Sequence, residues 1–180
     1  MHRLMYVMTL VAALYTAAPP QAGASNAPVG AVLPVAEGLP YFRLCQPQDL
    51  PGTWRLVKFD SQYQFKDPLA PYLLPHQLFH FSKGGGLKSA HSVRPIEEDP
   101  QKVFARIPLA ITYTLARNGV VSVKAKGTAE TMETWQCVSI TQDRNDEDRR
   151  FAMKRGDIVM TLVGKHGQTI FMRQLRKGAA

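Results

Sequence analysis

The sequence predicts an all-β protein, an antiparallel up-and-down barrel of about eight to nine strands with an extended N-terminal arm. From Leu50 onward, short segments rich in β-branched and aromatic residues alternate with Gly, Pro, Asn and Asp turn signals. Most of these segments are joined by short hairpins, which make neighbours in sequence neighbours in the sheet. A meander of about eight strands can close on itself and thereby remove its edges.

The first 24 residues have the pattern of a secretory signal. A short basic start precedes the apolar run 4–14, prolines follow, and the Ala-Gly-Ala of residues 22–24 predicts cleavage before Ser25. The run is shorter than the roughly 20 apolar residues of a membrane-spanning helix. We therefore predict a periplasmic or secreted protein with no stable membrane insertion, the alternative being an uncleaved anchor. Cys45 lies too far from the cleavage site for a lipoprotein signal, which predicts an unlipidated protein.

Three regions follow from the composition: the signal (1–24), an extended arm or linker rich in Ala, Pro, Gly and Val (25–48) and a barrel domain (49–178). The segment 67–75 contains three prolines, which lack N–H donors, and is predicted to be a loop with one helical turn. Asn118-Gly119 between two alternating segments marks a hairpin. The predicted strands are 53–59, 77–81, 87–93, 110–115, 120–125, 131–141, 150–153, 157–163 and 168–175.

The two cysteines, Cys45 and Cys137, form an even pair in a chain predicted to be exported. This favours one disulfide over the alternative of two buried free thiols. Their spacing excludes a Cys-x-x-Cys redox motif and a zinc knuckle.

The net charge of +8 does not by itself indicate a nucleic-acid partner. Lysine and arginine are spread singly along the chain, whereas nucleic-acid-binding proteins cluster them. We therefore predict no nucleic-acid partner. A basic exported protein can bind anionic envelope polymers or lipid weakly, although a merely soluble basic surface is the simpler interpretation.

The opening of the first predicted strand, Gly52-Thr53-Trp54, resembles the Gly-x-Trp strand of the lipocalin and calycin superfamily, especially of bacterial lipocalin-like proteins. Gly52 permits a tight turn into the strand, and Trp54 would close one end of the barrel as a large apolar stopper. The resemblance covers residues 50 to about 177. It implies a lipocalin-like barrel in which a late arginine, Arg173 or Arg176, stacks over Trp54 and ties the last strand to the first.

Strand alternation places one set of apolar side chains inside the barrel. Ile158, Met160 and Leu162 share one face of their strand, and Ile170 shares a face with Met172. The methionines could instead form a Cu(I) site with a histidine, but filling of the barrel is favoured. The candidate ligand-lining residues are Phe79, Phe81, Tyr113, Met132, Met160 and Met172.

The sequence contains no recognisable catalytic or metal-binding motif. The Gly-x-Ser-x-Gly nucleophile elbow is absent, and the Gly84-Gly85-Gly86 run lacks the lysine of a P-loop. On a strand, His76 and His80 would lie roughly 13 Å apart, too far to share one metal. We therefore expect no enzyme activity, no metal and no cofactor.

The leading functional hypothesis is an exported protein that binds a small apolar or amphipathic molecule inside the barrel. Each buried CH₂ group of such a ligand contributes about 0.8 kcal/mol. The alternative is a non-catalytic interaction module of the cell envelope, an inhibitor or accessory factor with a filled barrel. Its arm or an exposed loop would dock on an envelope protein.

Overall fold

The computed structural model of the protein describes residues 40–61, 67, 70–146 and 151–178, with the side chains of residues 146 and 151 left out. The predicted signal 1–24 and residues 25–39 of the predicted arm lie outside the described residues. Within the described part the chain forms eleven strands, one α-helix, α1 (Pro100–Ala105), and one 3-10 turn (Pro71–Leu73). The strands are β1 (Phe42–Leu44), β2 (Gly52–Ser61), β3 (His76–Phe81), β4 (Gly86–Ser92), β5 (Ile111–Leu115), β6 (Val120–Ala125), β7 (Thr131–Ile140), β8 (Arg144–Asp146), β9 (Phe151–Met153), β10 (Ile158–Val163) and β11 (Thr169–Lys177).

Eight of these strands close into an antiparallel barrel, as predicted. The sheet runs in the order β1-β7-β10-β11-β2-β3-β4-β5-β6, and an additional pairing between β6 and β7 closes it. Strand β1 is an extra strand on β7. Because β10 occupies one edge of β7 along residues 135–139, β1 and β6 share the other edge, with β1 on residues 138–140 and β6 on residues 131–136.

The hairpin between β5 and β6 shows how the turn residues set the strand register. The Gly119 amide donates to the Ala116 carbonyl at 3.0 Å, and Gly119 has a φ of 75°. A Cβ atom at this position would lie 2.8 Å from the Cys137 carbonyl oxygen of β7. Glycine is therefore required both by the left-handed backbone and by the close approach of the next strand.

The hydrophobic core lies inside the barrel. It combines large rings with smaller aliphatic side chains, and burying each large side chain contributes roughly 1.5–3 kcal/mol. The core residues are Cys45, Leu50, Trp54, Phe79, Phe81, Val121, Val123, Trp135, Cys137, Ile158, Met160, Phe171 and Leu175.

Helix α1 was not predicted and lies between the predicted strands 87–93 and 110–115. Asp99 is the N-cap and accepts a hydrogen bond from the Gln101 amide at 2.7 Å, and Pro100 occupies the first turn, where a missing N–H is harmless. The helix buries Phe104, whose ring lies 5.5 Å from that of His80 on β3. It therefore packs against the outer face of the barrel wall.

Strands β8 and β9 form a separate two-stranded sheet. No strand was predicted between residues 141 and 150, whereas Arg144–Asp146 is a strand that pairs with β9. The Gln174 side chain of β11 donates to the Ala152 carbonyl of β9 at 3.1 Å, which ties this sheet to the barrel. No helix in the described part of the chain has both the length and the apolar character needed to traverse a lipid bilayer.

Candidate ligand-binding site

One end of the barrel is closed around Trp54 of β2, whose side chain is 1% exposed. Its indole Nε1 donates to the Leu50 carbonyl at 2.7 Å, and the Lys177 Nζ lies 5.2 Å from the ring centroid. Lys177 and Trp54 are register partners of β11 and β2, so a cation of the last strand does cover the indole. That cation is Lys177, which corrects the prediction of Arg173 or Arg176.

Gly52, at the start of β2, makes room for this arrangement. Its φ is 132°, and a Cβ atom there would lie 2.6 Å from the Lys177 Cε. The glycine therefore permits both the turn into the strand and the passage of the lysine side chain.

The opposite end of the barrel is lined by apolar side chains that remain partly exposed. They pack against the core but are only partly buried, and they are Phe59, Tyr72, Leu162 and Ile170. Phe171 lies at their centre, with its ring centroid 5.1 Å from that of Phe59, 5.9 Å from that of Tyr72 and 5.3 Å from that of Trp135. The barrel thus has one closed end and one accessible, aromatic end, which we call the open end.

Arg173 of β11 points into the interior between these rings and is 6% exposed. Its guanidinium carbon lies 4.8 Å from the ring centroid of Phe171, 5.0 Å from that of Trp135 and 5.3 Å from that of Phe79. Burial lowers the pKa of Arg173 to about 10, while the negative charge of Glu133 opposes this shift. The side chain is therefore a charged group inside an aromatic cage at neutral pH.

Gln77 and His91 complete a polar cluster beside Arg173. They are register partners on β3 and β4, and the Gln77 Nε2 donates to the Tyr72 carbonyl at 2.9 Å, the same oxygen that accepts from the Arg173 Nη2 at 3.2 Å. Three buried polar atoms in this cluster have no hydrogen-bond partner: Gln77 Oε1, His91 Nε2 and Arg173 Nε. Buried polar atoms are rarely left unpaired, so the cluster has unused capacity to bind a polar group.

His91 should make the fold sensitive to acid. Burial, and secondarily the charge of Arg173, lowers the pKa of His91 to about 4 from an ordinary value of 6.5. Between these two values the unfolded chain binds a proton that the folded chain does not, so the free energy of unfolding falls as the pH decreases from 6.5 to 4. The titration of His91 alone should lower the free energy of unfolding by about 2–3 kcal/mol over this pH range.

Urea unfolding of His91→Gln at several pH values tests this expectation. The variant should lack this part of the acid dependence, so that its stability relative to the wild type improves as the pH is lowered. His166→Gln, in an exposed hairpin tip, is the matched control. Parallel stability curves for wild type and H91Q would contradict the assignment.

The six predicted lining residues divide into three groups. Phe79 and Met160 are buried in the core, and Phe81 packs edge-on against Tyr113 at 5.1 Å. Met172 is 38% exposed and Met132 is 50% exposed, so the prediction that they face inward is wrong. Met172 points outward because its neighbours on β11, Phe171 and Arg173, both face the interior.

The predicted disulfide is confirmed. Cys45 and Cys137 are joined with a Cα–Cα distance of 5.4 Å, and the Cys45 amide also donates to the Cys137 carbonyl at 3.1 Å. The bond fixes the segment after β1 to the middle of β7.

Two clefts lie on the outside of the barrel. One, of about 470 Å³, lies between the outer wall and α1, and its lining includes His80, Lys88 and Phe104. The other, of about 310 Å³, lies near the closed end and its lining includes Arg43, Arg155 and Lys177. Neither cleft is lined by Arg173 or its aromatic cage.

The described residues contain no group of three or more His, Cys, Asp and Glu side chains arranged to hold a metal ion. The cluster of Gln77, His91 and Arg173 was not predicted from the sequence. Alternation along β3, which puts Gln77 on the same face as Phe79 and Phe81, was the one available signal.

No protein-family model, no curated protein and no solved structure matches the chain. The resemblance to lipocalin-like proteins therefore stands at the level of the closed eight-stranded antiparallel barrel.

Proposed function

We propose that the chain is an exported, lipocalin-like protein of the calycin type that binds a small apolar or amphipathic molecule inside the barrel. The observation that carries this proposal is the asymmetry of the interior. Trp54 is fully buried at one end, whereas Phe59, Tyr72, Leu162 and Ile170 at the other end pack against the core but stay partly exposed. A ligand at the open end would cover apolar surface that water now reaches.

The position of these residues supports binding rather than mere packing. The mouth of a β-barrel is a frequent ligand site, where apolar walls supply affinity and a few polar groups fix orientation. Arg173, His91 and Gln77 are polar groups placed just below the open end. The Cys45–Cys137 disulfide supports export to a periplasmic or extracellular location, since such bonds persist in oxidising compartments.

A neutral fluorescent probe, N-phenyl-1-naphthylamine, tests the proposal. We expect its emission to rise on binding to the wild-type protein. Leu162→Lys, which places a charge on the inner wall at the open end, should weaken probe binding by roughly tenfold or more. Val57→Lys introduces the same charge at an exposed position of β2 and should leave binding nearly unchanged.

Circular dichroism melting of both lysine variants establishes that each remains folded. Absence of probe binding to the wild type, or equal binding to L162K and V57K, would argue against a ligand site at the open end.

The alternative function, a protein-interaction module of the cell envelope, is favoured by the dense packing of rings around Phe171. Three ring centroids lie within 5.9 Å of that of Phe171. Native mass spectrometry of protein isolated from its own host distinguishes the two. A retained small molecule supports ligand binding inside the barrel, whereas a retained polypeptide supports the interaction module.

A further inference from the structure

We propose that Arg173 anchors the carboxylate of an amphipathic ligand whose apolar part lies among the rings of the open end. This inference rests on the proposed function of the barrel interior and adds the chemical class of the ligand to it.

The guanidinium group of Arg173 has unused hydrogen-bonding capacity. An arginine side chain has five N–H donors, and here one of its groups, Nη2, donates to the Tyr72 carbonyl at 3.2 Å while the buried Nε has no acceptor. The Nε and Nη2 groups share one edge of the guanidinium plane, and this edge binds both oxygens of a carboxylate. The rings of Phe79, Trp135 and Phe171 surround the group without accepting these hydrogen bonds in its plane.

Arg173 also lacks a counter-charge among the described residues. Three other arginines of the described chain, Arg43, Arg106 and Arg176, each pair with a carboxylate. No carboxylate of a described residue lies within ion-pair distance of Arg173, although Arg173 is more deeply buried than these three arginines. The carboxylate of Glu133, which acts on it electrostatically, instead accepts from the Trp135 Nε1 at 2.9 Å. A buried cation without an anion strongly disfavours folding, and a bound carboxylate would remove that penalty.

The polar atoms next to Arg173 include a second hydrogen-bond donor. The pKa of His91 is lowered, so its imidazole is neutral above pH 5 and can donate one hydrogen, and its Nε2 is buried without a partner. With the hydrogen on Nε2, His91 supplies a second donor beside Arg173. Gln77 is held in place through its Nε2 by the carbonyls of Tyr72 and Leu74, at 2.9 and 2.7 Å. The donors available to an anion are therefore the Arg173 Nε and the His91 Nε2, whereas the Gln77 Oε1 is an acceptor that the anion must avoid.

A purely structural role for Arg173, as a cationic side chain packed between rings, makes a different prediction. Methionine has a similar length and also packs well against aromatic rings. If Arg173 serves packing alone, Arg173→Met should leave ligand selectivity unchanged. If Arg173 is an anchor, R173M should keep or raise the melting temperature while ligand selectivity is lost.

Isothermal titration calorimetry with dodecanoate and 1-dodecanol tests the proposal, because the two probes share a chain and differ in the head group. We expect wild-type protein to bind dodecanoate roughly 10- to 100-fold more tightly than dodecanol, and R173M to bind both equally. Arg55→Met, on the exposed outer side of β2, removes the same charge and should retain the wild-type preference. Arg173→Lys should retain part of it, since lysine keeps the charge without the planar edge.

Nuclear magnetic resonance of the arginine side chains provides a readout that needs no variant. The Arg173 Nε–H signal should shift downfield when dodecanoate is added and stay in place with dodecanol. Equal affinity for the two probes in the wild type, or a preference that survives in R173M, would overturn the carboxylate anchor and leave the proposed function standing. If neither these probes nor N-phenyl-1-naphthylamine binds, both proposals fail.

Discussion

Replacing Cys45 and Cys137 together with alanine is expected to lower the free energy of unfolding by about 3–5 kcal/mol. The two cysteines are separated by 92 positions, so the bond closes a loop that contains β2 to β6 and most of β7. Cross-linking residues so far apart removes a large part of the conformational freedom of the unfolded chain. Both side chains are buried, and alanine avoids placing a hydroxyl group in the core.

Urea denaturation followed by tryptophan fluorescence measures this effect. The oxidised wild type should unfold at a higher urea concentration than both the double alanine variant and wild type unfolded in the presence of a reductant. If the free energy of unfolding falls more steeply with urea concentration in the double variant, its unfolded state has become less compact. A loss below about 1 kcal/mol would mean that the bond ties β1 to the barrel without constraining the unfolded ensemble.

Most strands could be predicted because hairpin turns and alternating segments are local signals. Asn118-Gly119 fixed the β5–β6 hairpin, and residues 120–125 were predicted with the bounds that the structure has. Barrel closure followed from the number of strands and the short connections. Trp54 was correctly expected to be a buried residue on the first long strand, since Gly-x-Trp opens that strand.

The elements that were missed depend on contacts far apart in sequence. Strand β1 has only three residues, Phe42–Leu44, and exists because β7 offers it a free edge beyond β6. Helix α1 has six residues and is held by burial of Phe104 on the outer wall. Segments this short have weak propensities of their own, and tertiary packing decides their conformation.

The buried polar cluster of Gln77, His91 and Arg173 was also missed, because it too depends on contacts between residues far apart in sequence. The resemblance to lipocalin-like proteins implied that Arg173 or Arg176 stacks over Trp54 at the closed end. The actual position of Arg173 follows from the register of β11, in which Phe171, Arg173 and Leu175 face inward and Met172 faces out. The apolar character of Met172 had led to the opposite assignment, with Met172 inside the barrel.

Replacing Asp157 with alanine should destabilise the protein by about 2–4 kcal/mol. Asp157 is 2% exposed and its carboxylate accepts from the Arg176 Nε at 2.8 Å, the Arg176 Nη2 at 2.7 Å, the Gln174 Nε2 at 2.6 Å and the Lys154 amide at 3.0 Å. The variant removes the acceptor of all four hydrogen bonds, and only the Gln174 Nε2 and the Arg176 Nη2 keep a second acceptor, the Ala152 carbonyl. The expected loss is below that of a fully buried pair because the Arg176 side chain is 33% exposed and can regain water.

The Asp157–Arg176 pair connects the turn before β10 to the end of β11, so its contribution can be separated by a double-mutant cycle. Arg176→Met alone should cost about 1–3 kcal/mol, because it leaves the buried carboxylate without its cation. The double variant should lose at least about 1 kcal/mol less stability than the sum of the losses of the two single variants. The control variant Asp60→Ala, at an exposed position of β2, should have nearly the wild-type stability. Strict additivity of D157A and R176M would show that the ion pair does not stabilise this corner, and that the buried carboxylate acts through Gln174 and the Lys154 amide alone.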